Sequence, residues 1–352
     1  MSKPTPTPDA SRIRSTADFA RYVGLARTTV SRVLNEQPGL KQKTIDRVQR
    51  AMQETGFTPN AHALHLRGKR TSTIGICMET LVTPPAVHKL AFMQGLFRQR
   101  HYSSLIEVIA PGDSKQVVRH FMSMRVEAVV FIGHFVEEEV AERIRELNAL
   151  GTPHVVVDQV GIPDANTVTL DRERGMAKLV AHLADLGHTT FGLLGLSGSY
   201  RSVRDRVAGI DAALASRGMS VALNTRSLDH LHVRANDFEY GRLLGLAFAT
   251  ERTPPTALLA LNDEIAIGAI RGLQEGGRRV PEDISVAGFN NQDICVMPTP
   301  RLTSVDQQIE ATIRAASDLI LAQIGEPLTL RPTLTRVDPP LVIRESTGAA
   351  RR

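Results

Sequence analysis

Cysteine, long apolar runs and catalytic signatures are all scarce in this chain of 352 residues. The two cysteines, Cys77 and Cys295, stand far apart in strand-like or loop surroundings. That rules out a disulfide framework and suits a reducing compartment. No apolar run approaches the roughly 20 residues that a membrane span needs. The opening MSKPTPTPDASRIR lacks the apolar centre of a signal peptide, so a cytoplasmic location is expected. Its Pro, Thr and Ser content makes residues 1–14 an expected disordered tail. No Gly-x-Gly-x-x-Gly follows a strand, and GLSGS at 195–199 puts Ser199 where a nucleophile elbow requires glycine. No constellation of carboxylates, His or Cys suggests catalysis. His62 and His65 have no third partner to complete a metal site. Neither an enzyme, nor a metal, nor a cofactor is expected.

What the chain does have is an uneven distribution of charge. The net charge is +5, yet residues 1–70 hold 13 Lys and Arg against 5 Asp and Glu, while the rest hold 29 against 32. A basic excess confined to one segment is the electrostatic footprint of a polyanion-binding module. A basic membrane-surface helix would need a longer apolar face than this segment offers.

The pattern within that segment is helical. Ser15 followed by Asp18 opens a first helix in capping-box fashion, and Gly24 ends it. A second helix follows after a turn short enough to force a sharp corner. On it Val30, Val33 and Leu34 share one side, Thr28 and Arg32 lie almost opposite, and Arg27 and Ser31 flank them. A third helix spans about 42–54, with Ile45, Val48 and Met52 at helical spacing and Phe57 closing the small core. Three short helices around one core can present a helix to a DNA major groove. Asn60 is placed to cap one more brief helix, through Arg67.

From Thr73 the pattern changes to strands alternating with helices. TIGICM, SLIEVIA, AVVFIG and HVVVD form one series and TVTL, TFGLLG, TALLAL and ISVAGF a second, with helices between them. Continuous apolar strands of this kind predict parallel sheets covered on both faces. Two series predict two lobes with a ligand cleft between them. A last helix near 308–324 is expected to cross back to the first lobe, and Phe191 is expected near the lobe interface.

The ordered set of TTVSRVLN, GFTPNAHALHLRGKRTSTIGI, LGH, DRVAGI, NDEIAIGA, PEDISVAGF, LTSV and LVIREST resembles the bacterial lactose/galactose repressor family of transcription regulators. The resemblance runs from about residue 15 to 347. It implies an α/β protein with a small all-α helix-turn-helix headpiece and a two-lobed, doubly wound core of the type I periplasmic-binding-protein kind. The corresponding division is a tail at 1–14, headpiece at 15–59, hinge helix and linker at 60–71, and core at 72–345. Lobe one would take about 72–168 and 303–329, lobe two about 169–300 and 330–345.

It further implies a homodimer on a pseudo-palindromic operator in double-stranded DNA, repressing carbohydrate-related genes under allosteric control by a small effector. By position, Arg27, Thr28 and Arg32 are the base-reading residues, with arginine suited to guanine O6 and N7. Thr29, Ser31, Asn35 and Lys41 are placed for phosphates. Ala26 stands where the family usually has a hydroxyl, so a cap is lost. Asn60, Ala63 and Leu66 match the minor-groove hinge, with Leu66 as the wedge between base steps. In the cleft, Arg206, Asn262, Asp263 and Asn290 match effector-binding positions. Asn290 replaces the family's usual Asp, and SYRSVRDR adds Arg201 and Arg204 nearby. These features, with a run from Asp293 to Val305 similar to gluconate-utilisation repressors, make a sugar acid or phosphorylated sugar the expected effector, with a neutral sugar as rival. The C-terminal LVIRESTGAARR has no leucine heptads, so no tetramerising coiled coil is expected. A sugar-binding receptor without DNA function is the alternative; it would lack the basic headpiece.

Overall fold

The computed structural model describes residues 13–34, 37–57, 70–196, 201–220, 222, 225–227, 236–325 and 332–351. Asn35, the hinge residues Asn60, Ala63 and Leu66, His62 and His65 all lie outside them. The chain divides into two compact units, Met1–Ser72 and Thr73–Arg352.

The first unit holds α1 (Thr16–Val23), α2 (Arg27–Leu34) and α3 (Gln42–Thr55). The Ser15 hydroxyl accepts the Asp18 N–H at 3.2 Å, and Gly24, in the left-handed region at φ 69°, stops the helix. Phe19, Val23, Val30, Val33 and Val48 form the core. The Phe57 ring stacks on Phe19 with centroids 4.3 Å apart, closing that core as its spacing predicts.

The second unit contains two six-stranded sheets. Its first lobe is built from β1 (Thr73–Met78), α4 (Pro84–Gln99), β2 (Ser103–Val108), α5 (Ser114–Ser123), β3 (Ala128–Ile132), α6 (Glu137–Ala149), β4 (His154–Val157) and β5 (Thr167–Leu170). The second lobe has α7 (Arg172–Asp185), β6 (Phe191–Leu194), α8 (Arg201–Ala215), β7 (Thr225–Ser227), α9 (Asp237–Thr250), β8 (Ala257–Ala260), α10 (Asp263–Glu275) and β9 (Ser285–Asn290). The remaining elements are β10 (Thr303–Asp306), α11 (Ile309–Gly325), β11 (Leu334–Val337) and β12 (Leu341–Val342). The strand orders are β11-β5-β4-β3-β1-β2 and β12-β10-β9-β8-β6-β7. Every pairing is parallel except β10 with β12.

Strand alternation sorts the two cores of each sheet. Ile74, Ile76 and Met78 face Met93 and Phe97 of α4 and Ile313 and Ile320 of α11. Cys77, Val129 and Phe131 face Phe121 of α5 and Ile144 of α6. In the second lobe, α9 and α10 cross so closely that a Cβ on Gly268 would fall 2.0 Å from the Phe238 carbonyl oxygen.

Three parts of the sequence reading need correction. TVTL is β5 of the first sheet, pairing with β4, rather than the start of the second series. Residues 303–306 form β10 of the second sheet, and 334–337 form β11 of the first, the reverse of the expected assignment. The chain therefore changes lobe three times, after β5, after β10 and after β11. These strands are only four residues long, and their pattern alone does not say which sheet will pair with them. Phe191 is 1% exposed in the core of the second lobe, at the start of β6, away from the strand ends that border the cleft. The leftover helix, α11, does pack on the first lobe.

Candidate functional site

The headpiece separates its side chains by face. Val30 and Val33 are buried, Arg27, Thr28 and Arg32 are exposed, and Thr29 and Ser31 are partly so. The Ala26 carbonyl accepts the Val30 N–H at 3.1 Å, so Ala26 holds the cap position without a side-chain oxygen to use there. Arg32 leans towards the next turn and donates to the Pro38 carbonyl at 3.2 Å. Lys41 precedes α3 as its N-cap without a capping side chain, leaving that helix's first N–H groups beside an exposed cation.

The second site is a cavity of about 370 Å³ between the lobes, at the carboxyl ends of both sheets. That is where doubly wound folds bind ligands, and the volume falls in the usual range for small molecules. Arg206, from the second turn of α8, lies over the Phe289 ring at 4.1 Å and donates to the Ser202 carbonyl at 2.9 Å. It is 6% exposed, and among the ion pairs of the described residues none includes it. Burial, and then the neighbouring charge of Arg172, pull its pKa down to about 9.

Arg172, at the start of α7, reaches across to the first lobe and donates to Asp158 at 2.8 Å. The other Asp158 oxygen takes Lys89 of α4 at 2.5 Å. Burial alone would raise the Asp158 pKa, but these two cations outweigh it and hold the carboxyl well below its ordinary range. His134 lines the same cavity; burial and Arg172 push it down to about 3, so the ring is neutral.

Asn262 borders the cleft, but its amide is occupied, accepting the Ile265 N–H at 2.9 Å and donating to Asp237 at 2.6 Å. Asp263 does not face the cleft. It is fully buried, accepting the Ser304 hydroxyl at 2.5 Å and the Gln292 N–H at 2.8 Å, and so supports the loop after β9 from beneath. Burial raises its pKa to about 6 despite those bonds. Asn290 does reach the cleft, from the end of β9, in a left-handed conformation at φ 116°. Arg201 and Arg204 line a different cavity on the α5–α6 side of the first sheet, and Arg201 is paired with Asp205 at 2.8 Å.

Sequence reasoning missed Lys89, His134, Asp158 and Arg172. Two signals for them existed. Lys89 shares the buried stripe of Met93 and Phe97, four and eight residues on, and Arg172 is a cation at a helix N-terminus, where the helix dipole disfavours it. Among the described residues no three His, Cys, Asp or Glu side chains converge as a metal site, and no helix is long and apolar enough to cross a membrane.

A three-helix unit with an exposed polar helix face, followed by a two-lobed α/β core with a cleft, defines the class of ligand-responsive DNA-binding proteins. The family described as bacterial regulatory proteins, lacI family, matches residues 16–60, and the periplasmic binding protein-like domain matches 180–347. The HTH-type transcriptional regulator AscG of Escherichia coli (strain K12) is 30% identical over 302 residues, covering 82% of this chain and 85% of that protein. The HTH-type transcriptional regulator DegA of Bacillus subtilis (strain 168) is 28% identical over 297 residues, covering 83% and 86%. The solved Lac repressor dimer bound to operator and the anti-inducer ONPF superposes with a TM-score of 0.83 at 25% identity, covering 95% of this chain and 99% of that one. The chain belongs to the lacI family of bacterial regulatory proteins. It is a DNA-binding transcriptional regulator.

Proposed function

We propose that this protein is a cytoplasmic repressor of carbohydrate-related genes, without enzymatic activity, that binds a pseudo-palindromic operator as a homodimer and responds to an acidic sugar derivative in its cleft. The observation that carries the effector reading is Arg206, a buried guanidinium with no carboxylate partner beside the neutral amide of Asn290. Guanidinium groups match carboxylates and phosphates by two parallel hydrogen bonds. Arg27, Thr28 and Arg32 read bases, and Thr29, Ser31, Asn35 and Lys41 contact phosphates. Asn60, Ala63 and Leu66 enter the minor groove. Arg206 and Asn290 hold the effector, Asn262 borders it, and Asp263 acts only through the loop it supports.

A dimer is supported by apolar side chains left exposed on both lobes, Val82 at 89% and Met297 at 74%. Two-fold operators require a two-fold protein. Footprinting of bound genomic fragments tests the DNA half of the proposal, with paired half-sites upstream of sugar-metabolism genes as the expected result. Thermal-shift screening of gluconate, hexuronates, sugar phosphates and neutral hexoses tests the other half, because a ligand that binds only the folded state raises its melting temperature. Stabilisation by a neutral hexose alone would end the acidic-effector reading.

A further inference from the structure

The cleft gathers an unusual number of unsatisfied groups at one end. His134 Nδ1, Arg172 Nε, Arg206 Nε and Gln307 Oε1 are all buried without a hydrogen-bond partner, and all four residues line the same cavity. Buried polar atoms are normally paired, so such a convergence marks a place built to receive something. Charge is unbalanced there as well. Lys89, Arg172 and Arg206 face a single carboxylate, Asp158, and the electrostatic influence of Arg172 and Asp158 on both His134 and Arg206 shows the group to be one cluster. The other carboxylates near Arg206 are engaged: Asp205 by Arg201, Asp263 by Ser304 and the Gln292 N–H. Two positive charges are left over in a buried setting, where an uncompensated charge is costly.

A single carboxylate would neutralise half of that surplus. An aldaric acid carries two, but at opposite ends of its chain, whereas these cations meet at one place. One group bearing two charges and three acceptor oxygens meets both conditions. Building on the acidic-effector reading above, we infer that the effector is a phosphate monoester of a sugar or sugar acid, with its phosphoryl group taken by Arg206, Arg172 and Lys89. Glu79, Asp237 and Glu264 line the rest of the cavity, where their oxygens suit sugar hydroxyls.

The test measures the melting temperature of the full-length protein with inorganic phosphate, acetate, gluconate, 6-phosphogluconate and glucose at matched ionic strength. Phosphate and 6-phosphogluconate should stabilise more than acetate and gluconate, with affinities from the titrations at least about tenfold apart. The headpiece can also attract phosphate, so the same comparison is made in Lys89→Met and Arg172→Gln. Each variant is its own reference, and either one suffices if the other fails to fold. The phosphate-specific rise should be lost in both. Equal stabilisation by gluconate would overturn the phosphate assignment while leaving the acidic effector standing. No phosphate-specific rise in the native protein, or a rise that survives both substitutions, would overturn it too. Stabilisation by glucose alone would remove the acidic reading itself.

Discussion

The proposed reading face and the ligand cleft both depend on arginine, yet they hold it in opposite surroundings. Arg27 and Arg32 stand in water on α2, where salt screens them and a partner is free to come and go. Arg206 and Arg172 are 6% and 3% exposed, in a medium where every charge must be matched. The headpiece can therefore change a reading residue at little cost to its fold, because its core is made elsewhere, by Phe19, Val30 and Val48. The cleft cannot. Its binding groups are also the pins between its lobes, since Arg172 of α7 is tied to Asp158 of the first lobe.

The sharpest way to break this contrast is Asp158→Ala. It strands Lys89 and Arg172 without their shared counter-ion, and removal of one member of a buried pair typically costs about 3–5 kcal/mol. Urea denaturation should show that loss in the core, and a loss below about 1 kcal/mol would mean the cleft tolerates charge as the surface does.

A smaller effect should come from pH through Asp263. Its folded pKa, about 6, lies above its ordinary 3.8, so the folded state takes the proton first. The native protein should therefore gain stability relative to Asp263→Asn as pH falls from about 6 to 4, and lose that advantage as pH rises again. The span is at most roughly 2–3 kcal/mol. Stability curves of the two proteins that stay parallel across this window would show that the carboxyl is not held neutral.

On the headpiece, Arg32→Ala should weaken specific DNA binding by about 1–3 kcal/mol and relax one base position in each half-site. Lys41→Ala should lower affinity for all sequences alike, with a shallower salt dependence. If competition gel shifts found both variants lowering every sequence equally, the reading face would be misassigned. The mildest change is Ser15→Ala, which removes the cap that accepts the Asp18 N–H and should cost roughly 1 kcal/mol of headpiece stability by thermal melting.

The helices of the headpiece, the alternation of strands and helices and the position of Arg206 were all legible from local spacing. Periodicity records which side of an element meets the core, and Val30 and Val33 are buried as that rule requires. Cap residues such as Ser15 and Gly24 act within one turn, so they too are written locally. What needed the tertiary structure were the relations between distant segments. The spacing of TVTL and LTSV does not say which sheet they join, because a four-residue apolar strand fits either, and only the pairing partner decides. The same is true of the cleft. Lys89, Asp158 and Arg172 lie up to 83 positions apart, and each alone reads as an ordinary charged residue. Their role appears only when three chain crossings bring α4, the end of β4 and the start of α7 to one buried point, where low polarity obliges opposite charges to find each other.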